Sequence, residues 1–141
     1  MAFIFGATDL RYLDSHRVAR LSTIDQDGFP HLVPVCFVRI NNTIYITVDQ
    51  KPKKTNLLSR LKNIEKNPSV ALLVDQYDED WSRLSWLMLR GEANILTSGM
   101  EYNTAQTQLK QKYKQYKPMT LTTLPLIAIQ VIKVNSWQAS P

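Results

Sequence analysis

The chain has 141 residues, 44% of them hydrophobic and 21% charged, the mixture of a single globular domain large enough to build a core without staples. One cysteine, Cys36, excludes an internal disulfide framework and points to a reducing compartment, and no stretch reaches the ~18 apolar residues of a membrane-spanning helix. The formal net charge of +5 suits an anionic partner.

The opening MAFIFGATDL has a short apolar start but no basic n-region, so the expectation is a cytoplasmic protein without a leader. Residues 8–16 read as a short helix that Thr8 could cap, with Leu10 and Leu13 facing inward. Val18–Ile24 reads as a strand, and Asp25-Gln26-Asp27-Gly28 as a turn. His31–Ile40 is a long run of β-favouring residues, Asn41-Asn42 is hairpin chemistry, and Thr43–Val48 returns as a third strand. Residues 18–48 are therefore expected to form a three-stranded antiparallel meander.

A lysine-bearing loop follows. Leu57, Leu58, Leu61 and Ile64 then make one apolar helical stripe, with Thr55 at the expected N-cap and Asn67-Pro68 as the stop. Ser69–Val74 is an apolar strand, and residues 75–84 are a polar loop containing Trp81. Ser85–Leu96 is a strand long enough to bend, with Gly91 a bulge or a point of close approach. Met100–Tyr116 has helical spacing and ends before Pro118, and Leu126–Val134 is the last strand. Six strands joined mostly by short turns suit a closed barrel better than a doubly wound sheet.

Three features bear on function. Residues 51–66 concentrate Lys51, Lys53, Lys54, Arg60, Lys62 and Lys66 against Glu65 alone. At a helix N-terminus, lysines and a hydroxyl make a phosphate site, although a solvated basic loop before a capped helix has the same composition. Second, Pro34 lies inside a strand and cannot donate a ladder hydrogen bond. That marks an edge or a break, where backbone groups can face a planar ligand. Third, Trp81 and Trp86 could wall an aromatic ligand or pack an interface, with Arg83 or Arg90 near an anion. His16, His31 and Cys36 do not form a metal site by spacing. With no evident acid–base or nucleophile set, any chemistry falls to a cofactor. Nucleic-acid binding is disfavoured because residues 51–66 contain no aromatic residue for base stacking.

Taken in order, LSTIDQDGFPHLVPVCFV, IYITVDQKPKKTNLL, NPSVALLVDQYDEDWSRLSWLMLRGEA and the closing NSW resemble the pyridoxamine 5′-phosphate oxidase-related, FMN-binding split-barrel superfamily. The likeness runs from about Val18 to Trp137 and is nearest to the branch described as probable deazaflavin-dependent. It implies a mainly β fold with a few helices: a six-stranded antiparallel split β-barrel, one domain over 1–141, acting as a homodimer with cofactor sites between subunits. It implies that Lys53, Lys54 and Thr55 hold a phosphate and that the Val33, Pro34 and Val35 backbone lines the ring. Thr47 and Val48 would lie beside the cofactor, and Trp86 and Arg90 would approach from the partner subunit. The implied activity is an FMN-binding oxidoreductase moving hydride to or from a small organic molecule, with the 8-hydroxy-5-deazaflavin coenzyme as the alternative cofactor. A non-catalytic flavin carrier is the alternative function. The chain lacks the arginine-rich C-terminal ending of true pyridoxamine-phosphate oxidases, which argues against vitamin B6 oxidation.

Overall fold

Turn chemistry and one broken strand decide how the sheet is laid out in the computed structural model, which describes residues 4–48 and 54–139. The elements run α1 (Ala7–Ser15), β1 (Ala19–Ile24), β2 (Pro30–Val35), β3 (Val38–Ile40), β4 (Thr43–Thr47), α2 (Lys54–Lys66), β5 (Ser69–Gln76), β6 (Ser85–Leu96), α3 (Met100–Lys112) and β7 (Leu126–Gln138). Short 3₁₀ turns cover Trp81–Arg83, Lys114–Tyr116 and Leu121–Thr123. Helix α1 starts one residue before Thr8, with Gly6 at its N-cap and no side-chain cap.

The turns behave as their residues dictate. Gly28 takes φ +84° between β1 and β2, while the Asp25 carboxylate accepts from the backbone N–H groups of Asp27 and Phe29, both at 2.9 Å. Asn41 adopts φ +54° at the tip of the β3–β4 hairpin.

The expected meander over 18–48 does not form, and the strand count is seven rather than six. His31–Ile40 is split at Cys36-Phe37, so β2 pairs with β1 and β3 pairs with β4 at opposite ends of an antiparallel sheet of order β2-β1-β5-β6-β7-β4-β3. Three peptide steps from Val35 to Val38 span at most roughly 11 Å. Two residues therefore tie the two edges together, and the sheet curls into a barrel left open at β2 and β3. Pro34 sits on edge strand β2, where its missing N–H costs no central ladder bond.

Burial alternates with period two along β1, β5 and β6, as a sheet with one buried face requires. The barrel interior holds Leu21, Phe37, Ile44, Ile46, Leu72, Leu87, Leu89 and Ile129. A second cluster packs α3 against the other face of β3, β4 and β7, through Val38, Tyr45, Tyr102, Leu109, Leu126 and Ala128. Helix α2 covers β1, where buried Asn63 donates to the Thr23 hydroxyl at 3.0 Å.

Gly91 marks a bulge, but the extra residue belongs to β7. Gly91 pairs with Val131 and Arg90 with Lys133, so Ile132 is left unpaired and stands exposed. β7 runs on to Gln138, beyond the expected Val134, because β6 continues to offer it a ladder as far as Ser85. α3 ends at Lys112 rather than Tyr116, where the chain tightens into a 3₁₀ turn. Among the described residues, no helix is long and apolar enough to cross a membrane.

Candidate functional site

Where β2 stops, the ends of β2 and β4 flank an open cavity of about 210 Å³. It is lined by Val18, Pro34, Val35, Cys36, Ile46, Thr47, Arg60 and Tyr116. Most of the wall is apolar, which suits the face of a planar ring. Pro34 has no N–H to spend, and Cys36 lies in the break rather than within a strand. Cys36 is thus a half-buried wall of the cavity, not the buried strand thiol its apolar neighbours suggest.

Thr47 supplies the polar contrast. Its side chain is 3% exposed, and its hydroxyl has no hydrogen-bond partner among the described residues. A buried hydroxyl left unpaired costs roughly 1–3 kcal/mol. A ligand atom or water in the cavity would meet that demand. Arg60 reaches the same cavity from α2 and is the one cation among its described lining residues.

The residues expected at the site separate into four groups. Pro34, Val35 and Thr47 come together in the cavity. Val33 and Val48 turn their side chains into the barrel core, so their contribution to a ligand is through backbone; the Val48 N–H is already given to the Pro125 carbonyl at 3.0 Å. Lys53 lies outside the described residues. Lys54 opens α2, so Thr55, the expected cap, stands inside its first turn instead.

Trp86 and Arg90 do not reach the cavity of their own chain. Trp86 borders a groove of about 300 Å³ with Thr8, Asp9, Tyr12 and Trp137, the last paired directly opposite it across β6 and β7. Arg90 donates to the Asn135 side chain at 3.1 Å and borders a shallow apolar depression near Ile132. Trp81 is exposed in its 3₁₀ turn.

Val18, Cys36, Ile46, Arg60 and Tyr116 are the cavity residues that sequence reasoning passed over. Arg60 had a signal: it lies four residues before Ile64, on the flank of the apolar stripe, and so on the inward side of α2. Tyr116 had none, because helical spacing through residue 116 hides the change of direction after Lys112.

The sequence model for Pyridoxamine 5'-phosphate oxidase matches residues 9–138. No curated protein matches the chain. The conserved hypothetical protein Rv2991 of Mycobacterium tuberculosis superposes with TM-score 0.78 at 19% identity, over 96% of this chain and 86% of that one. A FAD-binding protein of Mesorhizobium loti gives 0.68 at 19%, over 95% of each chain. The heme storage protein HutZ of Vibrio cholerae gives 0.70 at 14%, over 94% and 93%. At these identities the structural likeness establishes the fold.

Proposed function

The chain belongs to the pyridoxamine 5′-phosphate oxidase family, and from that premise we propose that it is an FMN-binding oxidoreductase whose cofactor lies in the cavity between β2, β4 and α2. The observation that carries this reading is the unpartnered buried hydroxyl of Thr47, set in an otherwise apolar wall beside one guanidinium. A flavin ring offers an apolar face and carbonyl and ring-nitrogen edges, which match that contrast. FAD, named for the Mesorhizobium loti neighbour, shares the ring and the ribityl phosphate.

When bound, the flavin supplies the hydride chemistry. The chain supplies the rest. Pro34, Val35, Cys36 and Ile46 exclude water, Thr47 holds a polar edge, and Arg60 adds positive charge. Lys53, Lys54 and Thr55 bind the phosphate where α2 begins, helped by the backbone N–H groups of its first turn. The substrate is a small organic acceptor or donor, and the compartment is the cytoplasm. The deazaflavin coenzyme is the second ligand for the same cavity.

Lys54→Ala should weaken FMN ten- to a hundred-fold, the worth of a charge-assisted hydrogen bond at about 1.5–3 kcal/mol. Riboflavin, which has no phosphate, should bind the variant and the wild type alike. Fluorescence titration of both ligands measures this, and equal loss for both would assign Lys54 a structural role. Reoxidation of the reduced cofactor is then followed with a panel of enone and quinone acceptors. Binding without acceleration would favour a carrier, and absence of FMN binding would reject the reading.

The cavity is smaller than the ~300 Å³ at which ligand sites usually begin. A second copy supplying Trp86 and Arg90 would complete it, which makes a homodimer the working assembly. Light scattering across dilution should report twice the chain mass. A monomer that retains tight FMN binding would overturn the shared site.

A further inference from the structure

Resting on the flavin reading of the β2–β4 cavity, we propose that the C-terminal end of α3 is a latch on the broken strand, with Lys112 and Tyr113 as positioning residues that hold Val35–Phe37 against the cofactor ring. Where β2 stops, the backbone groups of Phe37 leave the ladder, and both are met from the end of α3. The Phe37 N–H donates to the Tyr113 hydroxyl at 3.0 Å. Its carbonyl accepts from Lys112 Nζ at 2.9 Å and from the Tyr113 hydroxyl at 3.0 Å. The Lys112 ammonium also sits 4.0 Å from the centre of the Phe37 ring. Arg17 lies over the Tyr113 ring and donates to the Lys112 carbonyl, while the single proton of the Tyr113 hydroxyl is shared between the Phe37 carbonyl and the Arg17 carbonyl, the latter at 2.8 Å.

One ammonium and one hydroxyl thus join the end of α3, the entry to β1 and the break between β2 and β3. Cys36, next to Phe37, and Tyr116, just past α3, are cavity walls. A shift of Phe37 therefore moves the wall.

The charged and titratable groups around Lys112 are Asp14 of α1, Arg17, Cys36 in the break, Arg39 of β3 and Tyr113. Arg39 is already clasped by both Asp14 oxygens, at 2.9 and 2.6 Å. Burial of the ammonium outweighs the favourable Asp14 field and lowers the Lys112 pKa to about 8. The latch therefore loses its charge around pH 8, well below the ordinary lysine range.

Two effects of opposite sign follow. Between about pH 8 and 10.5 the unfolded chain holds a proton that the native chain has released, so the Lys112 contribution to stability rises with pH. Over the same range Phe37 loses its charge-assisted hydrogen bond and the cation over its ring. The fold gains from Lys112 while the grip on the break slackens. A purely structural lysine would move stability and binding together.

The test titrates riboflavin and FMN into the full chain from pH 7 to 9, with the hydrogen-exchange protection of the Phe37 amide followed in cofactor-free protein. Both ligands should weaken about five-fold from pH 7 to 9 as a charged hydrogen bond becomes a neutral one. Phe37 protection should fall with a midpoint near pH 8. Lys112→Arg, which keeps its charge, should hold both flat, and Tyr113→Phe should weaken both ligands about ten-fold at pH 7. Affinity and Phe37 protection that ignore pH, or that titrate equally in Lys112→Arg, would overturn the latch alone. Failure of either flavin to bind the wild type at pH 7 would overturn the flavin reading, and the role of the latch with it.

Discussion

Gly91→Ala is expected to lower the unfolding free energy by about 3 kcal/mol, and Gly91→Val by more, in urea denaturation followed by far-UV circular dichroism. A Cβ at Gly91 would lie 2.1 Å from the Gln130 carbonyl oxygen and 3.0 Å from its carbon, with the Ile129 Cγ2 atom at 3.1 Å. The first two are backbone atoms in the neighbouring strand and cannot rotate away. Relief requires β6 and β7 to separate at the bulge, within a ladder that runs from Ser85–Gln138 to Leu96–Leu126. Gly6 provides the control, because nothing lies within 4 Å of a Cβ there. Gly6→Ala should stay within about 0.5 kcal/mol of the wild type. Equal effects at both positions would show that β6 and β7 are not in close approach at Gly91.

Tyr102→Ala should cost about 4 kcal/mol, and Tyr102→Phe about 1–2 kcal/mol. The ring is 2% exposed in the cluster between α3 and the sheet. Its hydroxyl is shared between the carbonyls of Leu121 and Leu124, at 2.8 and 2.6 Å. In the phenylalanine variant Leu121 keeps a donor, the Gln106 amide at 3.2 Å, while Leu124 loses the hydroxyl. The segment those carbonyls belong to leads from α3 to β7, and Tyr116 reaches the cavity from its start. Thermal unfolding of the two variants separates the ring from the hydroxyl. A phenylalanine variant as unstable as the alanine variant would place the energy in the hydrogen bonds instead of the packing.

Most elements could be read from local pattern. β1 and β6 alternate cleanly, Asn41 takes the turn its chemistry suggests, and α2 carries the apolar stripe whose described members Leu61 and Ile64 pack on the core. The break at Cys36-Phe37 could not be read, because every residue from His31 to Ile40 except Pro34 tolerates a strand. What interrupts the run is the end of α3, whose Tyr113 and Lys112 satisfy the Phe37 backbone from far along the chain. The far half of β7 was hidden for a similar reason. Asn135 and Ser136 are poor strand formers, and pairing with β6 overrides them.

The candidate site divides along the same line. Pro34, Val35 and Thr47 sit on neighbouring strand ends, so strand-level reasoning could group them. Cys36 and Tyr116 enter the cavity only because of the break and the turn after α3. Trp86 and Arg90 face other surfaces of the subunit, and their place at a cofactor depends on a second copy.

The position of β7 between β6 and β4 also orders events at the ribosome. The β3–β4 hairpin precedes by a long stretch of chain the strand it pairs with, β7, which is the last of this sheet in chain order: Tyr45 waits for Ala128. At ordinary elongation rates that wait is roughly 4 to 16 seconds, during which the outer side of β4 has no ladder partner. Helix α3, which packs against the same hairpin, emerges before β7 and can shield part of it. The nascent chain thus carries an open strand edge until β7 has been made, an exposed template of the kind that invites pairing with another chain.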